Sequence, residues 1–288
     1  MSRRLYRSPM RSAQQLSEIS GARAGALIRD WRTLRGLSQL ELSLRAGLSA
    51  RHLSYLETAK AQASREMILR LAHALDMPLR DRNTLLIAAG FAPMYPEREL
   101  VVPELAHVRQ AIDLIVGHHE PYPAFVLNRH WDILRASDGA ENVAKYLCGG
   151  SAHSNMLRQF FDPSDLRAYV VNWEEVALEL IRHLQDAVAA MPHDRGARVL
   201  LEEVLSYPGV PSDWSTQDLD SPPAPLLTVV FHKHGRDLRF FSTIATFGSP
   251  RDITLDELRI ECAFPADEAT AEFCKELARE RVAAQARE

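Results

Sequence analysis

The sequence predicts two folds in series, an all-α domain of five short helices followed by an α+β domain with an antiparallel sheet of about five strands. Three observations carry that reading. Residues 24–90 place apolar side chains at helical spacing, punctuated by glycine and serine, with almost no strand signal. Residues 92–103, "APMYPERELVVP", hold three prolines, which disfavour helix and mark a linker. Beyond them, short alternating runs appear between longer helical stretches.

The elements follow in order. Ala24, Leu27, Ile28, Trp31 and Leu34 define a first helix that Gly36 ends. Ser38 and Glu41 form an S-x-x-E capping box, each side chain satisfying the other's free backbone N–H, so a second helix starts at 38 or 39 and Gly47 closes it. Ser49 caps a third, "ARHLSYLE", with Leu53 and Leu56 turned inward. Ser64 begins a fourth with Ile68, Leu71, Ala72 and Leu75 on one face, and Pro78 sits near the first turn of a fifth that stops at Gly90.

After the linker, Leu105, Val108, Ile112 and Ile115 mark a helix, and "PAFVLNRHWDILRA" reads as a hairpin broken at "NRH". "NWEEVALELIRHLQDAVAA" and "RGARVLLEEVLS" are helical, and "PLLTVVFHKHGRDLRFFSTIATFG" is a long hairpin turning at Gly235. The alternation of Leu258, Ile260, Cys262 and Phe264 supplies the fifth strand. The expected division is a flexible basic arm at 1–20, the helical domain at 21–92, the linker at 93–104, the α+β domain at 105–273 and a C-terminal helical tail at 274–288.

With 46% apolar and 25% charged residues over 288 positions, the chain has a globular composition, which excludes disorder throughout. Its net charge of −4 conceals an asymmetry: residues 1–99 hold 16 Lys/Arg against 9 Asp/Glu, the remainder 18 against 29. A basic first third points to a polyanionic partner for that part alone. Cys148, Cys262 and Cys274 are odd in number and far apart, which fits neither a disulfide framework nor a paired C-x-x-C metal site and suits a reducing cytoplasm. No apolar run approaches the roughly 18 residues of a membrane span, and "MSRRLYRSPMRSAQQ" lacks the apolar core of a secretory signal. The expected location is cytoplasmic, with no membrane partner.

Two helices held at a steep angle by a short glycine-containing turn let the first lie across a phosphate backbone while the second enters the DNA major groove, about 12 Å wide. The stretch 37–64 resembles the Xre/Cro family of helix-turn-helix regulators through Ser38, Gln39, Glu41, Leu42, Ala46, Gly47, Ser49, Leu53, Leu56 and Glu57. The resemblance implies a double-stranded DNA operator as partner. Gln39 would contact phosphate at the helix N-terminus. Ser49, Ala50, Arg51 and Tyr55 would face the groove, with Arg51 positioned to pair with guanine O6 and N7. His52 and Ser54 would touch phosphate or sugar at the rim, and Lys60 would contact phosphate from the following loop. That loop, "TAKAQAS", departs from the family at Thr58 and Ala63. A dimer on a palindromic site, with half-sites roughly 10 bp or multiples of it apart, is the expected geometry.

Residues 105–273 resemble the ligand-binding domain of MmyB-like regulators through "PAFVLNRHWDILRA", "VNWEEVA", "LSYPGVPSDW" and "LRFFSTIATFGSPRDITLDELRIECAFPADEAT". The resemblance implies a PAS-like fold around an apolar cavity and a small apolar or amphipathic ligand such as a fatty acid. The chain has Asn128 where the family has Asp, and Ser137 or Asp138 where it has Asn, departures expected at the polar end of the cavity. Phe125, Trp131, Trp173, Phe231, Phe241 and Phe247 offer apolar bulk, and Asn172 and His232 offer polar anchors. Alternation alone does not separate cavity lining from ordinary core.

Competing chemistry is weakly encoded. His232 and His234 share a strand face and His118 and His119 are adjacent, without further ligands at metal-binding spacing. Glu174 and Glu175 diverge by about 100° on a helix. No G-x-S-x-G, G-x-G-x-x-G or G-K-[ST] element is present. No catalytic residue, metal or cofactor is therefore expected, and the function expected is a ligand-responsive, sequence-specific transcriptional regulator of bacterial type. Two alternatives stay open: an enzyme or carrier of acyl compounds that keeps the helical domain for tethering, and an adaptor that docks protein on the helical face.

Overall fold

The computed structural model describes residues 13–191, 193–211 and 226–286, with 13–20 described by backbone alone. The chain forms two compact units, one of residues up to 97 together with 249–256, the other of residues 98–248 together with 257 onward.

The first unit holds helices α1 (Ala13–Leu34), α2 (Gln39–Ala46), α3 (Ala50–Glu57), α4 (Arg65–Ala74) and α5 (Leu79–Ala88). The capping box closes as its residue types require. Ser38 N–H donates to Glu41 Oε2 at 2.7 Å and Glu41 N–H donates to Ser38 Oγ at 3.1 Å. Gly47 takes up φ 66°, a left-handed conformation that stops α2 and lets Leu48 N–H return to Ser43 O at 2.8 Å. Ser49 and Ser64 cap α3 and α4 through their side chains. The core gathers Ile28, Trp31, Leu42, Leu53, Ile68, Leu71 and Leu85, all essentially without solvent contact. α1 crosses α3 closely enough that a Cβ on Gly25 would lie 2.4 Å from Leu56 O.

Three expected boundaries change. Helix α1 already runs through 13–20, so that part of the expected arm is helical, while residues 1–12 lie outside the described residues. The linker is anchored at its start, because Asn83 accepts from Met94 and Tyr95 N–H and donates to Tyr95 O, which keeps residues up to 97 with the helical unit. Asp256 also belongs to this unit: its Oδ2 accepts from Leu79 N–H at 3.0 Å, capping α5, whose own N-cap Pro78 offers no side-chain acceptor. Nearby, Ile253 N–H donates to Pro96 O at 2.8 Å.

The second unit is built on a five-stranded antiparallel sheet of order β2-β1-β5-β4-β3. The strands are β1 (Ala124–Leu127), β2 (Ile133–Ala136), β3 (Thr228–Lys233), β4 (Arg236–Ala245) and β5 (Arg259–Pro265). The β3–β4 hairpin turns on His234 and Gly235, both with positive φ, the conformation a two-residue loop needs to match strand twist. One sheet face, through Ala124, Val126, Ile260 and Cys262, packs on Ile112 and Val116 of α6 (Ala106–His119). The other faces α7 (Asp138–Cys148), α8 (Met156–Phe161), α9 (Trp173–Ala190) and α10 (Arg195–Ser206). A short α11 (Ile253–Glu257) precedes β5. The last helix, α12, spans Glu268–Gln285, buries Phe273 and Cys274 and belongs to the second unit, so the expected boundary at 273/274 falls inside one packed helix.

Candidate functional site

The nucleic-acid candidate is α3 and its surroundings. Leu53 and Leu56 point into the core, which by helical periodicity turns Ala50, Arg51, Ser54 and Tyr55 away from it. Arg51 is exposed, and its guanidinium lies over the Tyr55 ring with Nε donating to the Tyr55 hydroxyl at 3.1 Å. Ser49 caps the helix by accepting from His52 N–H at 3.2 Å. Lys60 is exposed in the following loop, its backbone N–H held by Tyr55 O. Arg45, Arg65 and Arg70 add exposed positive charge on α2 and α4.

Two residues sit differently from expectation. Gln39 is at the start of α2, but its amide nitrogen donates to Glu57 Oε2 at 2.8 Å, and the same carboxylate accepts two bonds from Arg32 at 2.6 and 3.0 Å. This arrangement aims Gln39 instead of leaving it loose. The two bonds to Glu57 raise the pKa of Arg32. His52 is partly buried, and its Nε2 has no hydrogen-bond partner.

The second candidate is a pair of adjacent pockets, about 570 Å³ and 420 Å³, on the helix-covered side of the sheet. Met156, Phe160, Val229, Ser242 and Glu261 line both. Phe125 and Phe231 line the larger pocket and Trp131 the smaller. The walls do not include Asn172, Trp173, His232, Phe241 or Phe247. Asn172 is spent on the backbone of β3, donating to Thr228 O and accepting from Val230 N–H. Trp173 donates to Phe160 O and carries the Arg167 guanidinium 3.6 Å from its ring centroid. His232 follows Phe231 on one strand, so it points to the opposite face, where it pairs with Asp237. Phe241 stacks on Phe264 and Phe247 packs with the α6 cluster, both away from the cavity. Asn128, Ser137 and Asp138 are also elsewhere: Asn128 organises the β1–β2 turn, Ser137 caps α7 and Asp138 pairs with Arg281.

What sequence reading missed is the polar interior of the central strand. On β5, Arg259, Glu261 and Ala263 face the cavity while Ile260 and Cys262 face α6. Desolvation raises the Glu261 pKa against the opposing pull of a Ser242 hydrogen bond and the charges of His183 and Arg259. The signal was an ionisable pair at i and i+2 inside an otherwise apolar strand.

A capped helix-turn-helix with an exposed arginine on its second helix, in one chain with a sheet-and-helix domain enclosing an apolar cavity, defines a class: DNA-binding transcription regulators with a separate ligand-binding domain. Residues 108–277 match the MmyB-like transcription regulator ligand binding domain, more than half of the chain, and the protein belongs to that family. Residues 28–81 match the helix-turn-helix family. Among solved structures, the chain is similar to the restriction-modification controller protein C.AhdI from Aeromonas hydrophila, at 34% identity over 22% of this chain and 94% of that one, with a TM-score of 0.21. It is also similar to the clp gene regulator ClgR from C. glutamicum, at 30% identity over 25% of this chain and 88% of that one, with a TM-score of 0.22. A comparison with the curated proteins finds no match.

Proposed function

We propose that the protein is a sequence-specific, ligand-responsive regulator of transcription that binds a palindromic operator as a homodimer in the cytoplasm and takes a small apolar or amphipathic molecule into its second unit. The observation that carries the reading is Arg51, exposed on the outer side of a helix whose inner side is fixed by Leu53 and Leu56. A guanidinium so placed can pair bidentately with guanine, worth about 1–3 kcal/mol of discrimination. The ligand part of the reading is supported by the volume of the cavity and the apolar side chains in its walls. Chain connectivity supports a response: residues 249–256 pack in the first unit and continue directly into the sequence that leads to β5.

Gel-shift titration against an operator selected from random duplexes tests the proposal. Arg51→Ala is expected to relax base preference, and Gln39→Ala to weaken all duplexes alike. Equal affinity of the unsubstituted protein for every duplex would overturn sequence-specific recognition.

A further inference from the structure

Arg51 and Tyr55 stand one turn apart on the outer side of α3, at the four-residue spacing that brings helical side chains into contact. The Arg51 guanidinium lies over the Tyr55 ring, 5.4 Å from its centroid, and its Nε donates to the Tyr55 hydroxyl at 3.1 Å. Among the described residues no carboxylate pairs with Arg51. The one acid of α3, Glu57, is buried and already holds Arg32 and Gln39.

Two other arginines of the first unit are spent differently. Arg32 places Nε and Nη2 on the Glu57 carboxylate, and Arg35 places the same two nitrogens on the carbonyls of Leu75 and Asp76. Both tie the fold together through the side edge of the guanidinium, whereas Arg51 is held by Nε alone. A guanidinium has five N–H donors, and the four on Nη1 and Nη2 stay open here. Guanine O6 and N7 accept two parallel bonds, which an arginine supplies either from Nη1 with Nη2 or from Nε with Nη2. The Tyr55 hydroxyl occupies Nε, so the terminal pair is the one left for a base. A long side chain held in advance also loses less freedom when it meets its partner.

We infer that Tyr55 is a positioning residue for base recognition: it reads no base itself, but fixes the Arg51 guanidinium so that Nη1 and Nη2 meet a single guanine. This rests on the reading of α3 as the helix that enters the groove. It goes further by assigning the sharpness of one base preference to one hydroxyl and one ring, both acting through Arg51.

Gel-shift titration of the full chain tests it, using the selected operator and a set of duplexes that each change one base pair. Arg51→Ala is expected to erase the preference at one G·C pair. Tyr55→Phe, which keeps the ring and loses the hydroxyl, should lower the preference at that same pair about three- to fivefold, the usual worth of one hydrogen bond. Tyr55→Leu, which loses the ring as well, should lower it about tenfold. Both should leave the other positions unchanged, which reports an intact helix. In the Arg51→Ala background neither Tyr55 substitution should alter any preference, because the effects of two side chains acting as one unit do not add. A change at a different base pair would overturn the inference by making Tyr55 a reader in its own right, and uniform weakening of every duplex would overturn it by making the hydroxyl a phosphate contact. Selectivity unchanged by either Tyr55 substitution, or changed equally with and without Arg51, would overturn it too. An Arg51→Ala protein as selective as the parent at every pair would instead overturn the reading of Arg51 on which the inference stands.

Discussion

Gln39 Nε2, at the first residue of α2, donates to Glu57 Oε2, at the last residue of α3, over 2.8 Å. The Glu57 side chain is 1% exposed and also holds Arg32 of α1, so one carboxylate ties three helices. Glu57→Ala leaves a mostly buried guanidinium without its anion and frees Gln39. The expected cost is about 2–4 kcal/mol, measured by urea denaturation of the full chain. Glu57→Gln, which keeps one acceptor, should lose roughly half as much. Equal stability of all three proteins would show that the network carries no load.

Gly25 approaches the end of α3 too closely for a side chain. A methyl group there meets Leu56 O at 2.4 Å and Glu57 O at 3.0 Å, both backbone atoms that cannot swing aside. Alanine is otherwise the better helix former by about 1 kcal/mol, but overpacking of this kind costs about 1–3 kcal/mol. Gly25→Ala should therefore lower the melting temperature, whereas Gly21→Ala, with nothing near its Cβ position, should raise or preserve it.

These two residues illustrate what was legible. Capping serines and stop glycines act through neighbours three or four positions away, so Ser38, Glu41, Gly47, Ser49 and Ser64 announced α2, α3 and α4 in the sequence. Gly25 acts through a helix about thirty residues away, and nothing local marks it. The strands were legible as strands for the same reason, yet period-two alternation yields two faces and does not say which meets the cavity. Phe231 and His232 were both expected there, although adjacent residues on β3 must face opposite sides. On β5 the eye goes to Ile260 and Cys262, which pack on α6, and passes over Arg259 and Glu261, whose partners Trp131 and Ser242 come from distant sequence.

Asn128 is an amide because Asp132 is an acid. Its Oδ1 accepts from His130 and Asp132 N–H, and its Nδ2 donates to Asp132 Oδ2 at 2.9 Å. Asn128→Asp would replace that donor with a second carboxylate. Two carboxylates at that spacing repel, so the variant loses stability where both are ionised and recovers it in acid, where protonation restores a donor. Thermal scans should show the variant matching the parent in acid and falling below it, by about 1–2 kcal/mol, at neutral pH. A constant difference across pH would refute the charge argument.

Asp256 caps a helix that lacks a cap of its own. Asp256→Ala removes the acceptor from Leu79 N–H, and loss of an N-cap typically costs about 1 kcal/mol. The same residue ends the segment 249–256 that belongs to the first unit and precedes β5. If ligand occupancy reaches the DNA-binding helices along this segment, the variant should keep its operator affinity without ligand, once folded, and show a smaller change on adding laurate, a probe of the apolar or amphipathic class proposed above. The ratio of operator affinities with and without that probe is the measurement, and an unchanged ratio would exclude this route.

Glu261 makes the fold pH-dependent in the direction opposite to a surface carboxylate. Desolvation comes first among the influences on it and raises its pKa, while Ser242, His183 and Arg259 pull it down without cancelling the shift. A carboxyl group whose folded pKa exceeds its unfolded value binds its proton more tightly in the native state. Its contribution is therefore full below the unfolded value near 4.5 and is lost as pH rises through the folded value. Asp162, partly exposed and held down to about 2 by Ser164 and His153, has the opposite sense, its contribution lost as pH falls below the ordinary 3.8. Glu261→Gln keeps shape and hydrogen bonding but removes the titration. The variant should be more stable than the parent at neutral pH, with the difference shrinking toward zero as pH approaches 4.5 from above, while Asp162→Asn should lose stability at neutral pH and converge with the parent in strong acid. Denaturation curves of the three proteins at matched pH separate the two effects, and a Glu261→Gln curve parallel to the parent at every pH would mean that the cavity leaves this carboxyl group as well hydrated as one on the surface.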